Sequence, residues 1–315
     1  ALIVVMSVMN GFRADLLDRI LGVNGHLMVQ AADRSGISSY KDLTKEIEKL
    51  SAVKSVVPVF DGQALVETEA GGTSGALVRG VPDDGISKLS IITKNIKRGS
   101  LLDFVAGKGL MIGAVMAHRL GVGVGSYLRL LSSQGDATPF GVNPHAKSYK
   151  ICAIYEVGMY EYDSGIIFMP LNEAQLFFSD EGEVQSLQIF LHNPDDTSDT
   201  QKLLRKKLGR NAVVIDWKTR NKAFFTALEI ERHTMFIILS LIVMVAALNI
   251  ISSLVMLVKD KAADIAILRT IGASKAAILR IFILIGMFIG VCGTFFGLMF
   301  GLLTCFYIDT IQDFV

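Results

Sequence analysis

The chain has 315 residues, 51% of them hydrophobic, with 31 Lys and Arg set against 30 Asp and Glu. That balance excludes a nucleic-acid binder, which needs a basic excess to meet phosphates. Its three cysteines have no metal-ligand or redox spacing and allow no disulfide framework. The apolar residues concentrate at the start and in the last quarter, so the composition describes a water-soluble domain carried on membrane segments.

Ala1 to Met9 reads ALIVVMSVM, which is apolar but too short to span a bilayer and lacks the basic flank and cleavage site of a signal peptide. It reads as the outer end of a transmembrane helix whose beginning is cut off. Phe12, Leu16, Leu17, Ile20 and Leu21 continue it at helical spacing, with Gly22 and Gly25 as stops, so residues 1–22 form a helix end plus stalk. A strand is expected at His26 to Ala31, then a helix at Tyr40 to Leu50 capped by Ser38 or Ser39. Strands follow at Val53 to Val66 and Ser74 to Val81, around the turn Gly71-Gly72.

Further on, Gln185 to Leu191, Thr200 to Leu208 and Ala212 to Asp216 read strand, helix, strand. Residues 23–81 and 184–218 therefore make one α+β unit closed around a β-rich insertion, 82–183. Within the insertion, strands are expected at Leu110 to Ile112, Tyr127 to Leu131, Lys150 to Tyr155 and Gly165 to Phe168, with helices at Ala114 to Leu120 and Asn172 to Phe178. Residues 132–147 read as a long exposed loop stiffened by Pro139 and Pro144 around Phe140 and Val142, a composition suited to binding something.

Catalytic motifs are missing. The five histidines are scattered, and LGVGVGS follows a helix and precedes a strand, the reverse of a phosphate cradle. GVNPHAKS lacks the glycine that a P-loop needs before its lysine. No cofactor is expected, and any nucleotide energy must come from another chain.

After a second stalk segment (219–233), residues 234–258 form an uncharged run long enough, at roughly 1.5 Å per residue, to cross a core of about 30 Å. Residues 281–308 form another, with Gly286-Gly290 and Gly293-Gly297-Gly301 at the spacing of close helix packing. The loop between them, 259–280, carries Lys259, Lys261, Arg269, Lys275 and Arg280 against Asp260 and Asp264. The positive-inside rule puts it in the cytoplasm and the large domain on the other side. Residues 309–315 would begin a further extracytoplasmic loop, cut short.

MSVMNGF near the start and LNIISSLVMLVKDKAADIAILRTIGAS after the first full span resemble the LolC/LolE type of permease subunit, in the superfamily of the macrolide-efflux permease and FtsX. The resemblance covers essentially the whole chain. It implies a type VII ABC-permease-like fold: four membrane helices bearing an α+β extracytoplasmic domain of two subdomains, one porter-like and the other inserted in it. It implies a bacterial inner-membrane transporter that extracts lipoproteins and hands them to a periplasmic carrier, coupled to a cytoplasmic ABC ATPase by mechanotransmission. A second permease subunit, as homodimer or heterodimer, would complete the assembly in the lipid.

Site residues follow from the same resemblance. Thr138, Pro139, Phe140, Gly141, Val142, Asn143 and Pro144 resemble a carrier-binding hook, with Arg129 and Lys147 as its basic flank. Asp260, Lys261, Asp264, Ile265, Leu268 and Arg269 resemble the helix that docks on the ATPase. Val5, Met9, Phe12, Leu248 and Ile251 would line the lipoprotein cavity. The alternatives are a membrane sensor, or a relative that exports drugs or peptides or regulates a cell-wall hydrolase.

Overall fold

The computed structural model describes residues 2–33, 36–138, 141–193, 197–209 and 212–306. Two compact units separate, Leu16–Lys222 on the one hand and Ala1–Asp15 with Ala223–Val315 on the other.

Helix α1 (Leu2–Val23) is continuous through the expected span end and stalk. Gly22 and Gly25 do not act as stops. A Cβ at Gly22 would lie 2.8 Å from that of Ile91, and one at Gly25 would lie 2.7 Å from the Ile189 nitrogen, so both glycines serve close approach instead. Strand β1 (Leu27–Ala31) follows, then α2 (Tyr40–Glu48), whose Ile47 is buried against the sheet. Ser39 stands at its N-cap without a side-chain cap bond. The long strand β2 (Val53–Glu67) and β3 (Thr73–Val81) form a hairpin around Gly71, whose φ of +83° suits glycine.

The next stretch holds short elements with too few turns to show periodicity: α3 (Asp83–Lys88), α4 (Ser90–Lys94), β4 (Ile96–Gly99) and α5 (Leu101–Val105). Strand β5 (Leu110–Gly113) leads into α6 (Ala114–Leu120), which Gly121 ends in the left-handed conformation. LGVGVGS is thus a helix end and turn. Then come β6 (Tyr127–Thr138), β7 (Gly141–Tyr155), α7 (Tyr160–Gly165), β8 (Ile166–Pro170) and α8 (Leu171–Phe178). The unit closes with β9 (Ser186–Leu191), α9 (Thr197–Leu208), β10 (Ala212–Asp216) and α10 (Trp217–Arg220).

The strands join in the order β10-β1-β9-β2-β3-β8-β5-β7-β4, and β6 pairs with both β7 and β2. That last pairing closes a ring, β2-β3-β8-β5-β7-β6 and back to β2. β2 serves two sheets: Val53–Val59 pairs with β9, and Phe60–Glu67 pairs with β3. The boundary expected after residue 81 is therefore no gap in hydrogen bonding, because β3 runs parallel to β8 of the insertion.

Directly paired residues point to the same side of a sheet, which identifies the barrel interior. Ala64 faces Ala76, Val66 faces Leu130, Leu128 faces Tyr149, Leu110 faces Ile151, and Ile167 faces both Val78 and Ile112. All are buried in one core that also takes up Phe177 and Phe178 of α8. The ring of Phe178 lies 5.4 Å from Phe60, and that of Phe177 lies 6.0 Å from Tyr149. The outer wall belongs to a second core, in which Met111, Tyr155 and Phe168 pack with Ile86, Leu89 and Phe104 of α3–α5 and Val23 of α1.

In the other unit, α11 (Lys222–Asp260) is one helix through the expected stalk and span. It is followed by α12 (Ala262–Thr270) and α13 (Lys275–Phe306). The helical segments His233–Asp260 and Lys275–Phe306 are long and apolar enough to cross a membrane. The expected loop 259–280 is shorter than its charges suggested. Ser274 accepts from the Ala277 nitrogen (3.2 Å) and starts α13 early, so Lys275 and Arg280 are helical.

Candidate functional site

The described residues within 132–147 are paired strands rather than a loop. The β6–β7 ladder breaks register between Leu131 and Gly135 and then continues through Gly135↔Pro144, Asp136↔Asn143, Ala137↔Val142 and Thr138↔Gly141. Backbone pairing carries the hairpin past the barrel as an arm, and turn-forming residues there did not prevent it because a two-stranded ladder needs no buried face. Pro139 and Phe140, from the expected hook, lie outside the described residues.

At the root of the arm, alternate residues of β7 lean on α8. Lys147 reaches Glu173 at 2.5 Å, Tyr149 donates to the same carboxylate at 2.9 Å, and His145 lies 3.5 Å from the Ser179 hydroxyl. Burial opposes ionisation of Glu173, but the bonds from Lys147 and Tyr149 outweigh it and hold the carboxyl below its ordinary range. Burial, then the bond to Glu173, pushes the Tyr149 phenol up.

The two expected flank residues do not share a face. Arg129 pairs with Ser148 and with Glu67, whereas Lys147 pairs with Leu130, whose side chain is buried in the barrel. Arg129 thus stands on the outer wall, 3.6 Å from Glu67, and Lys147 stands on the α8 side. Each cation has its own carboxylate. Period-2 alternation places odd residues of β6 and odd residues of β7 on opposite sides, which spacing along one strand cannot reveal.

In α12, Lys261 precedes the helix and pairs with Asp264 at 3.0 Å. The helix ends in a Schellman motif: the nitrogen of Gly272 (φ +104°) donates to Arg269, and that of Ala273 to Leu268. Gly272 is the stop its sequence position implied. Ile265 is half-buried, while Leu268 and Arg269 are exposed, together with Ile267 and Ile271, two apolar residues that the sequence reading passed over. Asp260 is the last residue of α11. A short helix showing this much apolar surface is suited to a partner's groove.

Val5, Leu248 and Ile251 are exposed and Met9 is half-buried, while the Phe12 side chain lies outside the described residues. Among the glycines expected to pack, Gly286 approaches Leu254 of α11, whereas nothing lies within 4 Å of a Cβ built at Gly290, Gly293 or Gly297.

A buried polar junction beneath α1 has no signature in the spacing of its residues. Arg79 of β3, 6% exposed, forks onto Asp61 of β2 at 2.8 and 3.2 Å and donates to the Asn24 side-chain oxygen Oδ1 at 3.2 Å. Burial opposes its charge, but Asp61 more than compensates, so the guanidinium stays ionised. Asn24 donates to the Tyr162 hydroxyl at 2.5 Å, and Tyr155 donates to the carbonyls of Tyr162 and Ile166. The matching of opposite pleats that assembles this cluster was the missing signal.

Comparison with known proteins adds an independent finding. Residues 1–207 match the MacB-like periplasmic core domain family, and residues 236–314 match the FtsX-like permease C-terminal family. The lipoprotein-releasing system transmembrane protein LolC of Neisseria meningitidis is 34% identical over 96% of this chain and 73% of its own length. LolC of Xylella fastidiosa is 32% identical over 98% of this chain and 74% of its length. LolE of Haemophilus influenzae is 29% identical over 98% and 75% respectively.

Proposed function

Because the chain belongs to the family of the LolC and LolE transmembrane proteins, non-enzymatic permeases of the lipoprotein-releasing type with an extracytoplasmic domain, we propose that it extracts lipoproteins from the bacterial inner membrane and passes them to a periplasmic carrier. A separate cytoplasmic ATPase binds the ATP, and a second permease subunit completes the assembly. The chain itself uses no cofactor. It crosses the membrane several times, with α12 on the cytoplasmic side, and its outer domain works as two subdomains, the barrel being the inserted one.

In this reading, ATP binding moves α12 through Ile265, Leu268 and Arg269, with Asp260, Lys261 and Asp264 setting its polar edge. Helices α1 and α11 transmit the movement. Val5, Met9 and Phe12 face Leu248 and Ile251 around the acyl chains. The carrier is held by Thr138 to Pro144, with Lys147 on one face of the arm and Arg129 on the other. The observation that carries the proposal is the arm: a backbone-paired hairpin, braced by α8, whose ladder runs out to Thr138↔Gly141. Pairing lowers the ordering entropy that a bare loop would lose on binding.

Deleting residues 139–144 tests it. Carrier pull-down should fall to background while basal ATP hydrolysis of the assembled transporter is unchanged. Undiminished carrier binding would refute the assignment.

A further inference from the structure

The end of α1 is fastened to the outer domain by side-chain bonds. Arg19 donates to the Val157 carbonyl at 2.5 Å, the Gly25 nitrogen donates to the Gln188 side chain at 2.9 Å, and Asn24 is held between Arg79 and Tyr162. These bonds reach the strands and loops around the helix from several directions. Charge-assisted bonds in a buried setting resist bending as well as separation.

The other connection runs from β10 through α10, where the Trp217 nitrogen donates to the His26 carbonyl at 3.1 Å. Asn221, with φ −103° and ψ 31°, interrupts the helix between α10 and α11. Beside it the Arg220 guanidinium touches the Met28 sulfur at 3.3 Å, and its second terminal nitrogen is buried with no acceptor among the described residues. Asp61, the carboxylate that could answer it, is already taken by Arg79. A buried donor without a partner keeps its desolvation cost.

The path from the tight connection leads to the arm. Arg79 lies on β3 and Asp61 on β2. Ala64–Glu67 of β2 then pair with Arg129–Ser132 of β6, the strand that continues to Thr138. We propose that Arg79, with Asp61 and Asn24, is the positioning residue through which displacement of α1 reaches the arm. A buried ion pair is seldom retained for stability, since apolar residues of similar volume do as well. Two discrete arrangements biased by one polar link are a physical route for coupling. The inference rests on the lipoprotein-permease reading above.

The test uses the whole transporter, with its ATPase and second permease subunit, in proteoliposomes holding a fluorescently labelled lipoprotein, with purified carrier outside. The double variant Arg79→Met, Asp61→Leu replaces the pair with apolar residues of similar size. ATP hydrolysis and carrier binding to the resting transporter should match the parent, while lipoprotein released per ATP should fall about tenfold. Unchanged release per ATP would overturn the proposal, and so would a parallel loss of all three activities, which a merely structural role predicts. If the double variant does not fold, Asn24→Leu leaves the ion pair in place and removes only the helix's hold on it. Release per ATP should fall there too, and full retention would overturn the proposal. A parent transporter that binds no carrier and releases no lipoprotein would instead refute the function on which the proposal rests.

Discussion

His26 should make the outer domain acid-labile. Its ring is 8% exposed, meets Phe190 edge-on, and accepts the Leu191 N–H on Nδ1 at 2.8 Å. That bond requires a neutral ring, since a protonated Nδ1 would point a hydrogen at a hydrogen. Burial first, and then Lys54, lower its pKa below the ordinary 6.5, against a smaller opposing pull from Asp216. The unfolded chain therefore takes up the proton first. Stability is fully present above pH 6.5 and is lost as pH falls from there towards the folded pKa. If the folded ring stays neutral throughout, unfolding becomes about 1.4 kcal/mol easier between about pH 7.5 and 5.5, the limit for one proton. The protein's one tryptophan reports on the same spot, because the backbone nitrogen of Trp217 donates to the His26 carbonyl at 3.1 Å. Urea unfolding followed by Trp217 fluorescence should show this loss in the parent and not in His26→Asn, whose side-chain oxygen can take the place of Nδ1. Asp163, whose carboxyl burial pushes up, acts in the opposite sense at lower pH and cancels in the comparison. An equal loss in His26→Asn would refute the reasoning.

Two further outcomes follow from close contacts. A Cβ at Gly113 would overlap the Asp163 carbonyl, where the Asp163 carboxylate also holds the nitrogens of Val157 (2.8 Å) and Gly158 (2.9 Å). Gly113→Ala should therefore cost about 2–3 kcal/mol in the same unfolding assay, and a neutral result would mean that the loop yields. Burial pushes the Cys152 thiol to about 11, and it donates to the Leu110 carbonyl at 3.1 Å. Against its ordinary value of 9.0 it holds about a hundredfold less thiolate. Iodoacetamide at pH 8, read by peptide mass mapping, should label Cys152 only after denaturation.

How much of this was legible depended on whether a feature is local. Helix α6 and strand β10 lie where periodicity and flanking glycines placed them, because three or four apolar residues at fixed spacing suffice. Gly272 was legible for the same reason, as one residue after the last turn. The arm was not: GDATPFGVNP is made of turn-formers, and its ladder is a backbone pairing that resumes after a register shift at Leu131–Gly135 rather than one set by any apolar face. Nor was barrel closure, since β6 meets β2 across a long stretch of chain and only the paired register reveals it. The split between Arg129 and Lys147 and the joining of Asn24, Asp61 and Arg79 are products of that same register. At the candidate site, facing depends on pairing between strands, which spacing along one strand does not contain.

Strand β1, the first after α1, lies beside β10, the last before α10, and the two run antiparallel from Leu27↔Asp216 to Ala31↔Ala212. The folded unit therefore begins and ends on neighbouring strands, like a closed clasp, so insertions elsewhere in it leave the spacing of its two ends unchanged. Conversely, parting those five pairs would separate the unit's two ends, with β1 still held on β9 from Leu27↔Ile189 to Val29↔Leu187.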